Sequence, residues 1–176
     1  MRNKNIKIVI SGYLDNNIGD GLMTKLLLKN FPKQQFYHYT NKTIIKNTFK
    51  GFENLKICDL SSEKEDLKEM DIYLRIDGSI FQIQSIMQNI RRRINLCKLR
   101  GIKRSKTHIV VLGSNFDSKY KRSALKTVQK EIKLNSLTVV RDEHSYEMLK
   151  GFKRIKNYHL AYDIAYNLSE FYPIKD

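Results

Sequence analysis

Glycine and polar residues that could bind a ligand follow the first apolar run of the chain, IKIVIS. They are Gly12, Asn17, Gly19 and Asp20. Glycine lets the backbone turn tightly and approach a ligand closely, and free N–H groups at the start of a helix favour an anion. The segment matches neither GxGxxG nor a P-loop. A ligand-binding loop and an ordinary turn with a helix cap explain it equally well.

A second segment of this kind contains Asp77, Gly78, Ser79 and Gln82. Gly78 permits close approach of the backbone, and Ser79 can cap a helix that follows. A plain strand-to-helix turn is an equally good interpretation. Asp77 is different, because a carboxylate at the carboxyl end of a central strand needs a partner or a ligand.

Two further segments offer hydrogen-bond donors and a cation. Ser114 and Asn115 follow the most apolar run, and Arg141 follows the next one. A guanidinium can hold a phosphate or a carboxylate in a bidentate fork. The alternative is a structural ion pair of Arg141 with Asp142 or Asp163. The sequence slightly favours the ion pair, because an arginine flanked by acids is usually satisfied locally.

Two kinds of catalytic site are not supported by the residues. Ser145, His144 and Asp163 do not predict a hydrolase triad, because there is no G-x-S-x-G elbow and Ser145 lies inside a predicted helix. The four histidines and two cysteines are scattered without ligand spacing. We therefore predict no metal and no cofactor, and we expect Cys58 and Cys97 to be reduced thiols.

The elements that must position these residues alternate between strand and helix. Strands are predicted over residues 6–11, 35–39, 55–60, 71–76, 107–112, 137–140 and 158–162. Helices are predicted over 19–30, with Asp20 capping or complementing its start, and over 43–49, 63–69, 79–99, 118–134 and 143–149. This alternation predicts an α/β, Rossmann-like doubly wound fold with a mostly parallel sheet of six to seven strands. Ligands bind such sheets at the carboxyl ends of the strands, where all the polar segments are expected to meet.

The chain is strongly basic, with a formal net charge of +15. The excess is concentrated in a run from Arg91 to Lys106 that contains no acidic residue. Such a run is usually a solvated helix face, but it could also bind anionic lipid or nucleic acid. Because it lacks interleaved aromatics and an RNA-binding signature, nucleic acid is the less favoured partner. No signal-peptide core follows the N-terminus, so we predict a cytoplasmic protein, with peripheral membrane contact as a possible addition.

Taken in order, the polar segments resemble the polysaccharide pyruvyl transferase family. Gly12-Tyr13 and Asn17-Ile18-Gly19-Asp20 come first, followed by a turn at Asp77-Gly78-Ser79 that is similar to the family's G-G-S element. Segment 111–116 looks like the strand before the family's central loop, and 138–145 is similar to its V-R-D-x-x-S element. Segment 163–165 is similar to its D-P-A element. The match depends on the order and spacing of all five pieces.

The resemblance implies transfer of a pyruvyl group from phosphoenolpyruvate to a sugar of a cell-surface polysaccharide or its precursor. It implies half of a B-type glycosyltransferase-like fold: residues 1–168 form the N-terminal domain, 169–176 an irregular tail, and a second domain with the catalytic residues is absent. Expected partners are phosphoenolpyruvate, a lipid-linked or polymeric sugar, and a second copy or separate C-terminal half. The expected substrate-binding residues are Gly12, Asn17, Gly19, Asp20, Asp77, Gly78, Ser79, Gln82, Ser114, Asn115 and Arg141. Asp142, Ser145 and Asp163 are expected to be structural.

Two alternatives from other functional classes are kept at this point. One is a non-catalytic binding or assembly module, and the other is a nucleotide-sugar-binding, glycosyltransferase-like domain. The predicted sheet permits both, because fold alone does not determine function.

Overall fold

A computed structural model describes residues 6–15, 17–82, 85–117 and 120–163 of the chain. Its strands are β1 (Ile8–Ser11), β2 (Phe36–Tyr39), β3 (Leu55–Cys58), β4 (Ile72–Ile76), β5 (His108–Ser114), β6 (Leu137–Val140) and β7 (Tyr158–Leu160). Its helices are α1 (Ile18–Asn30), α2 (Thr43–Thr48), α3 (Glu63–Asp66), α4 (Ile86–Arg104), α5 (Arg122–Ile132) and α6 (Glu143–Lys150). Short 3₁₀ turns at Leu60–Ser62 and Leu67–Glu69 flank α3.

All seven strands are parallel and form one sheet in the order β3-β2-β1-β4-β5-β6-β7. The predicted Rossmann-like, doubly wound α/β fold is therefore confirmed. The chain proceeds outward from β1 to β3, returns to the other side of β1 at β4, and then proceeds outward again. The strand order thus reverses between β1 and β4, and this position is where such sheets bind their ligands.

Helices cover both faces of the sheet because neighbouring residues of a strand point in opposite directions. Ile10 and Leu74 pack with Leu27 of α1 on one face. Val9 and Tyr73 pack on the other face, together with apolar residues of α4. Burial on both faces explains why the central strands read as apolar runs rather than as alternating patterns.

The helix predicted from residue 79 begins instead at Ile86, so the assignment of Ser79 as its cap is wrong. Asp77 accepts hydrogen bonds from the backbone N–H and the hydroxyl of Ser79, at 2.8 and 3.0 Å, and this holds residues 78–81 in a turn. Ser85 caps α4, because its hydroxyl accepts from the Gln88 N–H while the Gln88 side chain accepts from the Ser85 N–H.

Of the two roles predicted for Asp20 at the start of α1, capping or complementing it, the structure has the second, because Asp20 is the acidic residue of the first turn. Asn17, not Asp20, holds the capping position, and its side-chain oxygen accepts from the Asp20 backbone N–H at 3.3 Å. The Asp20 carboxylate is left for other contacts. The helix predicted over 118–134 corresponds to α5, which covers Arg122–Ile132. Residues 118–119 lie outside the described residues. No helix in the described ranges has the length and apolar character needed to cross a membrane.

Candidate functional site

The site lies at the carboxyl edge of the sheet, where the loops after β1 and β4 meet. Gly12 directly follows β1 and lies against Ile76, the last residue of β4. A Cβ atom on Gly12 would come within 2.6 Å of the Ile76 carbonyl oxygen, so only glycine fits there. The close approach that this glycine allows is to the neighbouring strand, and it places both loops side by side at the switch point.

Asp20 is the most unusual group in this crevice. It is only 4% exposed, and the backbone N–H groups of Tyr13 and Gly78 lie close enough to it to favour its ionised form. Its Oδ2 atom has no hydrogen-bond partner among the described residues. Burial, aided by the negative charge of Asp77, raises the pKa of Asp20 to about 6. A carboxyl group with this pKa can both accept and donate a proton near neutral pH.

The predicted partner of the Asp77 carboxylate is Ser79, two residues further along the same turn. Its Oδ1 atom accepts the two hydrogen bonds from Ser79 described above. The turn holds the Asp77 carboxylate close enough to Asp20 for its charge to raise the Asp20 pKa. Two acidic groups therefore share the switch point, one buried and one partly exposed.

Arg141 enters the same crevice from the end of β6. Its Nη1 atom donates to the Asp163 carboxylate at 2.6 Å, so of the two predicted ion pairs the structure has the one with Asp163. A Cβ atom on Gly78 would lie 2.9 Å from Nη2, so the guanidinium rests against the backbone of Gly78. The Arg141 side chain is 31% exposed. It is therefore a fixed cation that a ligand can still reach.

Hydrogen bonds tie the loops after β4 and β5 together behind these charges. The Gln82 side chain donates to the Asn115 side chain at 3.1 Å, and the Asn115 backbone N–H donates to the Gly78 carbonyl at 2.9 Å. Ser114 is fully buried, and its hydroxyl has no hydrogen-bond partner among the described residues. These contacts fix the backbone of Gly78, against which Arg141 rests.

Asp142 and Ser145 connect the loops that carry the site. Asp142 caps α6 and accepts from both the backbone N–H and the hydroxyl of Ser145, each at 2.8 Å. The Ser145 oxygen in turn accepts from the Phe116 backbone N–H at 2.9 Å. The geometry connects the loops after β5 and β6 and leaves Ser145 buried.

Five of the predicted substrate-binding residues therefore meet at the switch point: Gly12, Asp20, Asp77, Gly78 and Arg141. Gly19 is exposed at the start of α1, and Asn17 is used as its cap. Residues 164–165, which complete the last motif, lie outside the described residues.

A comparison with protein families decides what kind of protein has this site. The family model for polysaccharide pyruvyl transferases matches residues 17–176, which is most of the chain. The chain belongs to the polysaccharide pyruvyl transferase family. The resemblance found in the order of the sequence segments is thereby confirmed. A search of curated proteins gives no match.

This pyruvyl transferase family member also contains a buried group of charges that sequence reasoning missed. Arg75 of β4 donates to Glu131 of α5 at 2.6 Å, and Arg92 of α4 lies 3.4 Å from the other oxygen of Glu131. Glu131 is fully buried. The guanidinium of Arg92 also lies over the ring of Phe81, 5.5 Å from its centroid.

Arg92 is thus an exception to the prediction that the basic run is a solvated helix face. Its side chain is 10% exposed, and burial lowers its pKa while the charge of Glu131 opposes that change. One signal for the cluster was present in the sequence. Arg75 interrupts an otherwise apolar strand, and a charge at such a position needs a buried partner.

Proposed function

We propose that this domain forms the sugar-acceptor wall of a polysaccharide pyruvyl transferase. The reaction would move the pyruvyl group of phosphoenolpyruvate onto a sugar of a cell-surface polysaccharide or its precursor. Family membership supports the class of reaction. The observation that carries the assignment of the site is Asp20, a buried carboxyl group with one unpartnered oxygen at the switch point of the sheet.

The chemistry requires a group that can move protons. Forming the ketal adds a sugar hydroxyl oxygen to C2 of phosphoenolpyruvate while C3 gains a proton and becomes a methyl group. A second sugar hydroxyl then forms a bond to C2, and the bond from C2 to the phosphate oxygen breaks, which releases inorganic phosphate. Each hydroxyl loses a proton as it attacks. We assign to ionised Asp20 the role of accepting a hydroxyl proton, a contribution typically worth about 10²–10⁴ in rate.

Arg141 and Gly78 are assigned to binding. Asp163 holds one edge of the Arg141 guanidinium, so the cation is fixed in place before a ligand arrives. A phosphate or carboxylate group of a substrate is the chemistry that such a cation recognises. Gly78 is required because any side chain there would occupy the space of the guanidinium.

The second wall of the crevice is proposed to be another Rossmann-like domain, placed opposite this one as in B-type glycosyltransferases. That domain would hold most of the groups that bind phosphoenolpyruvate. It could be supplied on the same polypeptide, as a separate C-terminal half, or by a second copy of the chain. This arrangement follows the family resemblance and the general use of the carboxyl edge by open parallel sheets.

The test is to incubate the chain with phosphoenolpyruvate and lipid-linked or polymeric sugars, with and without a co-expressed C-terminal half. Inorganic phosphate and the mass of the sugar are both followed. We expect phosphate release to be matched by pyruvylated sugar, and Asp20→Asn to lower the rate about 10²-fold or more. Asp15→Asn is the matched control, because Asp15 lies on the same loop and its carboxylate is already paired with Lys42.

Two results would contradict this proposal. One is a complete absence of pyruvylated sugar even with the C-terminal half supplied. The other is tight, saturable binding of nucleotide sugars that Asp20→Asn abolishes, which would favour a glycosyltransferase-like function instead.

A further inference from the structure

Helix α4 carries apolar side chains on the side that faces solvent. Ile86, Met87, Ile90 and Ile94 expose 74%, 57%, 46% and 68% of their surface. With about 3.6 residues per turn, these four residues share one face of the helix, opposite the face that packs on the sheet. A surface helix normally carries polar residues there. We call these four residues the apolar stripe, and packing within the described domain does not explain it.

Basic side chains border the apolar stripe. Arg93 and Arg100 lie on the side toward α5 and, with Lys126 and Lys130 of that helix, line a groove of about 290 Å³ that no acidic residue lines. Arg91 is exposed on the other side of the stripe. The whole of α4 contains no Asp or Glu. The result is an apolar surface with a cationic border on the α5 side, whereas on the other side Lys98 is paired with Glu63.

We propose that this surface of α4 docks on an anionic lipid bilayer. The apolar stripe would lie at the boundary between headgroups and acyl chains, and the bordering basic residues would contact lipid phosphates. This combination of apolar residues with flanking Lys and Arg is typical of helices that lie in the membrane interface. A nucleic acid would use the cationic border but would leave the apolar stripe in water, so a bilayer accounts for more of the surface.

Helix α4 lies near the crevice, so docking through this helix would also position the crevice relative to the membrane. The helix begins at Ile86, shortly after the turn that holds Asp77 and Gly78, so its apolar stripe starts at the same edge of the sheet. A domain docked through this stripe holds the mouth of the crevice close to the headgroups. The inference rests on exposure and charge alone and does not depend on pyruvyl transfer.

The test is flotation of the full chain with vesicles of phosphatidylcholine alone and of phosphatidylcholine mixed with phosphatidylglycerol. We expect binding only to the anionic vesicles, weakening as the salt concentration rises. Replacing two bordering charges, in Arg93→Gln/Arg100→Gln, is expected to weaken binding about 30-fold. Ile94→Asn is expected to weaken it about tenfold by removing one inserted side chain.

Matched controls change the same chemistry elsewhere on the surface. Ile44→Asn removes an exposed isoleucine of α2, and Lys33→Gln/Lys50→Gln removes two exposed charges distant in sequence from α4. Both are expected to leave vesicle binding unchanged. Circular dichroism of each variant checks that the fold is kept.

Three outcomes would overturn the proposal. They are equal binding to both kinds of vesicle, unchanged binding by the α4 variants, and a lower sedimentation coefficient for Ile94→Asn. The last result would identify the apolar stripe as a contact between copies of the chain. Because the vesicles contain no sugar acceptor, failure of the proposed enzymatic activity would leave this measurement unaffected.

Discussion

Near the carboxyl edge of the sheet lie two groups of buried charges, of which only one is compensated by charges of opposite sign. On the side covered by α4 and α5, Glu131 is enclosed between two guanidinium groups, those of Arg75 and Arg92. At the switch point, Asp20 is buried beside a second carboxylate, that of Asp77. The first group places opposite charges together in the interior, whereas the second places like charges together beside an opening.

We interpret the difference as one between a structural cluster and the proposed reactive group. Burying a charge is costly unless a partner of opposite sign is close. Glu131 has such partners, so the cluster joins β4, α4 and α5. At Asp20, burial and the negative charge of Asp77 raise the pKa to about 6, although nearby backbone N–H groups and the charge of Arg141 act in the opposite direction. Perturbed carboxyl groups in a crevice are typical of functional sites.

The largest expected effect comes from removing the anion of the compensated cluster. Glu131→Gln leaves two buried guanidinium groups without a counter-charge, and we expect it to lower the free energy of unfolding by about 3–5 kcal/mol. Urea unfolding measures this. Glu147→Gln removes an exposed carboxylate paired with Lys150 and is expected to change stability by less than about 0.5 kcal/mol. If both variants lowered the free energy of unfolding by similar amounts, the buried cluster would contribute no more to stability than an exposed ion pair.

The next effect concerns the crevice. Gly78→Ala places a Cβ atom 2.9 Å from the Arg141 Nη2 atom and must displace the guanidinium. We expect the rate of pyruvyl transfer to fall about 10²-fold, because small displacements of a binding group are costly in an active site. Gly101→Ala is the control, since its Cβ atom meets nothing within 4 Å. Equal rates of pyruvyl transfer for Gly78→Ala and the unaltered chain would contradict the proposed role of Arg141 in substrate binding.

A substitution at Asp20 is expected to have opposite effects on stability and activity. The folded-state pKa of about 6 lies above the ordinary value of 3.8, so the folded state binds the proton more tightly. Stability therefore falls as the pH rises from about 4 to about 6. Asp20→Asn should remove this dependence and raise the free energy of unfolding at pH 7 by roughly 2 kcal/mol, while lowering activity.

Asp15 provides the matched comparison for this pH dependence. A hydrogen bond from Lys42 lowers the pKa of Asp15, so its contribution to stability is present above pH 3.8 and is lost as the pH falls further. Asp15→Asn is expected to reduce stability at neutral pH. Thermal unfolding across the acid range, compared for the two variants, would contradict the account if both shifted stability in the same direction.

The smallest expected effect is at the ion pair that fixes Arg141. The Arg141 and Asp163 side chains are 31% and 22% exposed, so solvent screens their attraction. We expect Asp163→Asn to lower stability by less than about 1 kcal/mol. A loss as large as that for Glu131→Gln in the same urea experiment would show that the two groups of charges do not differ as described.

Much of the fold could be predicted from local pattern. The β-branched runs of β1, β4 and β5 indicated buried parallel strands, and the alternation with helices indicated the doubly wound sheet. The start of α4 was predicted wrongly, because Ser79 looks like a helix cap until the Asp77 side chain is seen to close a turn. A residue such as Ser79 suits both a helix N-cap and a tight turn, so its type alone does not show which of the two will form.

The charges of the interior could be predicted less well. Arg75 and Glu131 are 56 positions apart, and nothing local in the sequence pairs them. Asp20 appeared as a helix-start residue, but its pKa depends on its burial and on Asp77 and Gly78, which belong to the loop after another strand. Positions could thus be named from motifs, while their electrostatic state required the tertiary structure.

The measurement that tests the account most directly is the pKa of the Asp20 carboxyl group, followed by carbon NMR in the intact chain. Asp20→Asn identifies the signal, and Asp15 gives an internal comparison with its lowered pKa. The account predicts a midpoint for Asp20 at about 6. A midpoint at the ordinary value of 3.8 or below would contradict the central claim that the switch point holds an uncompensated, proton-accepting carboxylate.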